Sequence, residues 1–284
     1  MMRRGYVDTS LGQIHYRTQG EGAHLVLLHA TPRSSRIFER IAYLLSANFQ
    51  VVAFDTPGFG NSDPLPADTS IDGLATAFLE AMERLHLPRA YVLGYHTGNK
   101  IAAAMTASSP DRIARLMLVG MSHSLVINRS RREAAIHAIV DKSLHHQQDS
   151  TVEIHRRWTK TFAAVSECWL KPHIMGKPDL NELDLAVLQA EVLDIIQCRK
   201  SVDPIYRANF DFDFQAALEK IDIPTLVLEL VTPEEAHLKG SGEDILKLVP
   251  RARLSVLENT GRSVWESEPE RVSQIVQDFL METV

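Results

Sequence analysis

The chain has 284 residues, of which 45% are hydrophobic and 23% charged, and its formal net charge is −6 at pH 7. This balance excludes disordered, collagen-like and disulfide-framework proteins, and the acidic charge argues against nucleic acid as a partner. The only two cysteines, Cys168 and Cys198, form neither a disulfide scaffold nor a zinc site. No apolar run has the roughly 18 residues of a membrane span, and the start turns polar too early for a signal peptide. We therefore expect a cytoplasmic protein without a membrane partner.

Alternating and continuous apolar stretches predict two kinds of strand. The alternating stretch Gly5–Arg17 turns at Leu11 and Gly12, which predicts an antiparallel hairpin at a sheet edge. The later apolar runs are continuous, as is typical of parallel strands buried on both faces. These predicted strands are His24–Ala30, Gln50–Asp55, Tyr91–Tyr95, Leu116–Met121, Thr225–Leu230 and Ala252–Glu258.

Helical patterns lie between the predicted strands. They cover Ser35–Leu45, Ile71–Leu87, Asn99–Ser108 and Val264–Met281. This alternation predicts an α/β fold with a doubly wound, mostly parallel sheet. Residues 125–218 contain helical patterns without a convincing strand, which predicts a helical cap inserted into a core of residues 1–124 and 219–284.

Three strand ends carry candidate chemistry, because ligands of open α/β sheets bind beyond the carboxyl ends of the strands. The first is the segment His29-Ala30-Thr31-Pro32 and the third is Glu258–Ser263. The second, Gly94-Tyr95-His96-Thr97-Gly98, has the spacing of G-x-S-x-G, a sharp turn that lifts a nucleophile above the sheet. Its middle residue is His96, and histidine is among the few non-glycine residues enriched at positive φ. The helix N-terminus that follows disfavours imidazolium, so we expect a neutral ring that can accept a proton.

Four segments together resemble the α/β-hydrolase superfamily over nearly the whole chain. The segment 29–32 resembles the family's oxyanion loop, and 55–63 (DTPGFGNSD) matches its D-x-x-G-x-G-x-S-D turn. The segment 94–98 matches the nucleophile elbow in spacing, and Gly261-Arg262 falls on the family's Gly-His. The resemblance implies the α/β-hydrolase fold. We expect neither a cofactor nor a metal site.

All three triad positions of this family differ here. The nucleophile falls on His96, the catalytic histidine on Arg262, and the acid on Pro233, with Glu234 and Glu235 just beyond. Either glutamate could replace the acid by a slip of one or two residues. No seryl acyl-enzyme can form at the elbow, because it has no hydroxyl at the central position.

The oxyanion donors of this family are backbone groups, so changes of side chain leave them in place. By family position they are the N–H groups of Thr31 and Thr97. We expect His29, Tyr95 and Trp265 to line the pocket, with His29 in a mainly structural role. Ser122 and His123 follow a strand and also face the predicted pocket, where a loop hydrogen bond is an alternative use.

The expected roles follow from side-chain chemistry. His96 can act as a base or as a nucleophile, whereas Arg262 stays charged near neutral pH and suits a bidentate grip on a carboxylate or an enolate. Alternatively, His96 fills a dead pocket, and Arg262 forms a salt bridge to Glu234, Glu235 or Glu266.

We therefore expect an enzyme that hydrolyses an ester, thioester, lactone or C–C bond of a small molecule with a carboxylate or carbonyl group. Two alternatives stay open: a lyase, decarboxylase or cyclase without a covalent intermediate, and a non-catalytic ligand-binding protein. A homodimer is compatible with the sequence.

Overall fold

The eight strands form a single sheet in a computed structural model that describes residues 2–120, 151–170, 182–232, 242–260 and 264–282. The spatial order is β1-β2-β4-β3-β5-β6-β7-β8; β2 pairs antiparallel with β1 and β4, and the remaining pairs are parallel. The strands are β1 (Arg3–Thr9), β2 (Gly12–Gln19), β3 (Ala23–Leu28), β4 (Phe49–Phe54), β5 (Ala90–Tyr95), β6 (Ile113–Val119), β7 (Thr225–Leu230) and β8 (Ala252–Leu257). The predicted class and the mostly parallel sheet are confirmed, as is the opening hairpin.

Both faces of the sheet are covered, which explains the continuous apolar runs. Val26 and Leu28 of β3 lie in one buried cluster, whereas Leu25 and Leu27 lie in the cluster on the opposite face. Successive side chains of a strand point to opposite faces, so an apolar residue is needed at every position. β6 begins three residues before the predicted apolar run, because the apolar pattern is interrupted by Arg115. Arg115 is part of the strand; it is buried and donates to two backbone carbonyls.

The helices of the core follow the predicted order, with two corrections. They are α1 (Glu39–Leu45), α2 (Ile71–Arg84), α3 (Thr97–Ser108), α8 (Gly242–Leu246), α9 (Val264–Ser267) and α10 (Pro269–Met281). The predicted helix Ser35–Leu45 begins as a 3-10 turn over Ser35–Phe38. The predicted helix Val264–Met281 is broken at Glu268, because proline disfavours the α conformation in the residue before it. Pro269 is then the first residue of α10.

The region between β6 and β7 is helical wherever it is described. Its helices are α4 (Thr151–Leu170), α5 (Glu182–Gln197), α6 (Arg199–Asp211) and α7 (Phe214–Leu218). α4 and α5 share a small apolar cluster of their own, whereas residues from Cys198 onward pack into the main core. The buried Lys100 of α3 donates to the Asn209 carbonyl of α6 at 2.8 Å. The division into a cap of residues 125–218 and a core stays a prediction.

Across the described ranges, no helix combines the length and the apolar character needed to cross a bilayer.

Candidate functional site

The bend between β5 and α3 places His96 at the carboxyl end of the sheet. His96 has φ 49° and ψ −104°, a conformation that is sparsely populated for residues with a side chain. It precedes the first residue of α3, and its own N–H donates to the Val119 carbonyl at the end of β6 at 3.0 Å. The spacing of the two flanking glycines predicts this strained bend with a positive φ at its centre, and the bond to Val119 anchors it to the neighbouring strand.

Close backbone contacts explain why both flanking residues of the bend are glycines. A Cβ at Gly94 would lie 2.3 Å from the Gly98 carbonyl oxygen, and one at Gly98 would lie 2.2 Å from the Leu28 carbonyl oxygen. Both distances are far inside van der Waals contact, and both neighbours are backbone atoms that cannot rotate away. The two glycines thus allow β3, β5 and α3 to meet at one point.

The imidazole of His96 stays partly exposed while its neighbours in the chain are buried. Tyr95 is 4% exposed and Thr97 is 8% exposed, but His96 falls in the intermediate range. Its ring lies beside Gly120, where an added Cβ would be 2.9 Å from Nε2. The edge-to-face contact with Tyr95 has a centroid distance of 4.3 Å. The ring therefore lies against the ends of β5 and β6, on a residue that is partly exposed.

Asn99 fastens the start of α3 to β6 by binding both backbone groups of one residue, Val119. Its Nδ2 donates to the Val119 carbonyl at 2.9 Å, and its Oδ1 accepts from the Val119 N–H at 2.9 Å. Because the side chain is 1% exposed, these bonds form in a medium that strengthens them. Sequence reasoning did not identify this residue, although its position directly after Gly98 offered a signal.

The segment after β3 places Thr31 in a tight turn. Arg33 N–H donates to the Ala30 carbonyl at 2.8 Å, which closes the turn around Thr31 and Pro32, and the peptide between these two is cis. The N–H of Thr97, in the first turn of α3, has no acceptor within its own helix. Both amides are thus at the ends of adjacent parallel strands, and their use as oxyanion donors stays a prediction.

His29 is buried, and both of its ring nitrogens bond to backbone groups. Nδ1 lies 2.8 Å from the Ala30 carbonyl oxygen, and Nε2 lies 2.9 Å from the N–H of Thr56. The N–H can only donate, so the ring is the neutral tautomer with its proton on Nδ1. Burial lowers the pKa of His29, in keeping with this form. The ring positions the strand end; contact with a substrate stays a prediction.

Asp55 organises the turn that follows β4. Its carboxylate is 1% exposed and bonds to His15 Nδ1 at 2.8 Å, to the Ser35 N–H at 2.7 Å and to the Asn61 N–H at 2.9 Å. Burial opposes the charge, but the bond to His15 and the other donors outweigh it and hold the pKa of Asp55 well below its ordinary value. The family-like turn 55–63 is therefore tied to β2 and to the loop after β3 through one carboxylate.

The structure describes the third strand end up to Thr260 and again from Val264. Asn259 has φ 55°, and Thr260 Oγ1 donates to Glu268 at 2.5 Å. Trp265 is buried, and its ring packs edge-to-face on Tyr95 with the centroids 5.2 Å apart. Arg262, Glu234, Ser122 and His123 lie outside the described residues, so their predicted roles remain predictions.

Glu266, one of three glutamates that the sequence offers as a partner of Arg262, pairs with Arg33; a pairing with Arg262 lies outside the described residues. Arg33 Nη2 donates to Glu266 Oε1 at 2.5 Å, and its Nη1 lies 3.4 Å from Glu191 Oε1 of α5. Beside them, Ser34 Oγ donates to Asp194 Oδ2 at 2.8 Å, also on α5. We call these residues the acidic cluster: Arg33, Glu191, Asp194 and Glu266.

Burial perturbs two carboxyls of the acidic cluster. Asp194 is 3% exposed and Glu266 is 4% exposed. Burial raises the pKa of Asp194 to about 6 and that of Glu266 to about 7, although Arg33 favours the ionised form of both. With three carboxyls around one guanidinium, full ionisation near neutral pH is costly. Sequence reasoning missed this cluster, because its members come from segments up to 233 residues apart.

Asp194→Asn is expected to stabilise the protein at pH 7.5 by about 1–3 kcal/mol. The pKa of Asp194 is raised in the folded state, so the folded protein holds this proton more tightly than the unfolded chain does. The wild type therefore loses folding stability as the pH rises from 3.8 through about 6, where Asp194 ionises. Asparagine cannot ionise and keeps an acceptor for Ser34. Urea unfolding at pH 4, 6 and 7.5 measures the effect, which should shrink towards pH 4. The control Asp203→Asn, on an exposed pair with Arg207, should show no such trend; parallel curves for Asp194→Asn and wild type would refute this origin.

Within the described part of the chain, no three His, Cys, Asp or Glu side chains come together in a group that could hold a metal ion. The described site thus offers the imidazole of a partly exposed His96 at the end of β5, together with the backbone N–H groups of Thr31 and Thr97, which follow the ends of β3 and β5.

Known proteins resemble the chain in sequence. The family model described as alpha/beta hydrolase fold matches residues 23–137. A 2-hydroxy-6-oxononadienedioate/2-hydroxy-6-oxononatrienedioate hydrolase of Pseudomonas putida is 26% identical, with 98% of this chain and 94% of that protein aligned. A pimeloyl-[acyl-carrier protein] methyl ester esterase of Photobacterium profundum is 24% identical, with 93% and 97% aligned.

Solved structures resemble it in fold. A hydrolase from Pseudomonas aeruginosa superposes with a TM-score of 0.76 at 21% identity, covering 99% of both chains. The enol-lactonase from Burkholderia xenovorans superposes with a TM-score of 0.71 at 20% identity, covering 98% of this chain and all of that one. The chain therefore has the α/β-hydrolase fold.

Proposed function

We propose that the protein is a small-molecule hydrolase that cleaves an activated ester, thioester, lactone or C–C bond without a serine nucleophile. The observation that carries this proposal is the position of His96: a partly exposed imidazole at the strained bend between β5 and α3. The relatives from Pseudomonas putida and Photobacterium profundum are named as a hydrolase and an esterase, which favours hydrolysis over other chemistry.

His96 acts as the base that draws a proton from water, or as the nucleophile that attacks the acyl carbon. In the first role, water adds to the carbonyl, its proton passes to the imidazole, and the imidazolium then protonates the leaving group. In the second, the imidazole nitrogen bonds to the acyl carbon, the bond to the leaving group breaks and that group departs with a proton; water then hydrolyses the acyl-imidazole to the carboxylic acid and free imidazole. Either route creates an oxyanion, for which the N–H groups of Thr31 and Thr97 are the proposed donors.

A substrate with a carboxylate or carbonyl group fits the proposed role of Arg262. Its guanidinium would hold that group in a bidentate grip, and Glu234 is the proposed acid that partners His96. Both residues belong to this proposal on sequence position alone. Arg33 does not compete for the substrate carboxylate, because Glu266 and Glu191 already neutralise it.

Turnover in ¹⁸O-water tests the proposed reaction. The purified chain is assayed against a panel of activated esters, thioesters, lactones and vinylogous 1,5-diketones, and the products are analysed by mass spectrometry. Hydrolysis predicts one solvent oxygen in the carboxylic product. Product formed without solvent oxygen would instead establish a lyase or cyclase. Saturable binding without turnover of any panel member would establish a ligand-binding protein and contradict the proposal.

A fluorophosphonate probe tests the absence of a serine nucleophile at the elbow. We expect no stoichiometric adduct on the peptide that contains residues 90–100, because His96 replaces the serine there. A serine hydrolase of the same fold, labelled in parallel, shows that the probe is active. A stable phosphonylated serine on this protein that abolishes turnover would contradict the proposed mechanism.

A further inference from the structure

Arg33 directly follows the turn that contains the Thr31 amide. Its N–H closes this turn on the Ala30 carbonyl at 2.8 Å, so the backbone of Arg33 cannot move without moving the turn. Thr31 and Pro32 are partly exposed at the strand end, whereas Ser34 and Ser35 after them are buried. The turn is therefore a short exposed segment whose position depends on what holds its two ends.

The side chain of Arg33 ties the turn to two distant elements. Nη2 is 2.5 Å from Glu266 Oε1 of α9, which follows the third strand end, and Nη1 is 3.4 Å from Glu191 Oε1 of α5. Ser34 adds a second tie to α5 through Asp194 at 2.8 Å. The side chains are shielded from water, with 12% exposure for Arg33, 15% for Glu191 and 4% for Glu266.

Stability alone does not account for this arrangement. Removing two charges from water costs nearly as much as their attraction returns, so an apolar pair of similar volume stabilises a fold equally well. The acidic cluster adds a further cost, since Glu266 Oε2 is buried with no hydrogen-bond partner in the described part of the chain. A guanidinium offers a property that an apolar pair lacks: its planar, rigid set of donors fixes the positions of two carboxylates at once.

We propose that Arg33 is a positioning residue, which holds the Thr31 amide at the place where it donates to the oxyanion of the reaction. Its ion pairs with Glu266 and Glu191 lock the turn between α9 and α5. The inference rests on the proposed function, because it requires an oxyanion that Thr31 binds. A misplacement of about 1 Å in such a donor lowers the rate by up to about 100-fold.

The double variant Arg33→Met/Glu266→Gln tests this role, since it removes the ion pair with Glu266 without leaving the carboxylate of Glu266 buried and unpaired. With a substrate that the wild type turns over, we expect kcat to fall about 10- to 100-fold while KM stays within about threefold. Arg33→Lys keeps the charge but not the fork, so it should restore part of the rate. The control Arg207→Met breaks an exposed pair on α6 and should leave both constants unchanged.

Each remaining outcome decides the question. An unchanged kcat in the folded double variant, or a rise in KM alone, would overturn the role of Arg33 and leave the proposed function intact. If the double variant does not fold, Glu191→Gln replaces it, and an unchanged kcat there has the same meaning. If the wild type turns over no panel substrate, the proposed function fails and this inference fails with it.

Discussion

Gly98→Ala is expected to cost the folded protein about 3 kcal/mol or more, because the new methyl group would lie 2.2 Å from the Leu28 carbonyl oxygen. That oxygen belongs to the backbone of β3, at the centre of the sheet, and the glycine belongs to the first turn of α3. To relieve the clash, α3 must move away from the sheet. The same movement would shift His96, so activity should fall together with stability.

Gly73→Ala is the matched control for this substitution. Gly73 occupies the first turn of α2, where an added Cβ would meet only the end of the Ser70 side chain at 3.2 Å. Alanine is also the better helix former by up to about 1 kcal/mol, so we expect a change within about 1 kcal/mol. Urea unfolding of the two variants measures the contrast. Equal stabilities for both variants would contradict the packing described at the bend.

Asp55→Asn is expected to destabilise the fold by about 3–5 kcal/mol at pH 7, since it removes the charge from a buried hub of three donors. Asparagine must also turn an N–H group towards the donors that the carboxylate accepts. Because the folded-state pKa of Asp55 is depressed, its stabilisation is present above pH 3.8 and is lost as the pH falls below that value. The difference between wild type and variant should therefore shrink in acid.

Asp63→Asn serves as the control within the same turn. Asp63 is exposed and accepts one hydrogen bond, from the N–H of Gln13 at 2.8 Å. We expect this variant to lose at most about 1 kcal/mol, with little dependence on pH. Thermal and urea unfolding between pH 3 and 8 measure both variants. A loss for Asp55→Asn no larger than that for Asp63→Asn would show that the buried carboxylate does not organise the turn.

The sheet could be predicted from the sequence because its signal is local. Strands buried on both faces must be apolar at every position, and the runs around Leu25 and Val92 carry that pattern directly. The bend at Gly94–Gly98 could be predicted for the same reason, since two glycines four residues apart between a strand and a helix meet a local steric need. Helix ends carry a weaker local signal, since the break at Glu268 depends on the conformation that Pro269 imposes on its neighbour.

The polar contacts of the site could not be predicted, because they join segments far apart in the chain. Nothing near Arg33 identifies Glu266 as its partner, and Asp194 lies in the apolar stretch of a helix whose position over the turn is set by tertiary packing. Glu266 illustrates the difficulty: the sequence offers it as one of three alternative partners of Arg262, and nothing in the sequence indicates its ion pair with Arg33. Charge pairs need only opposite sign and reach, so a sequence offers many candidates for each one.

These contacts connect the fold to the proposed chemistry. Asn99 and Val119 fix the bend that carries His96, whereas Arg33 and Glu266 fix the turn that carries Thr31. The first anchor joins the ends of β5 and β6, and the second follows the end of β3, the strand adjacent to β5 at the centre of the sheet. Rigid strands and buried polar anchors are what an oxyanion site requires, because its donors must be in place before charge develops.

The steady-state kcat/KM of His96→Ala, compared with that of wild type on a panel substrate, tests the role of the imidazole most directly. A base or nucleophile predicts a fall of at least about 100-fold with the unfolding transition retained. His96→Asn, which tolerates positive φ better, should lose as much, while His86→Ala, at an exposed histidine with φ 57°, should lose nothing. A folded His96→Ala variant with kcat/KM within twofold of wild type would contradict the proposed mechanism.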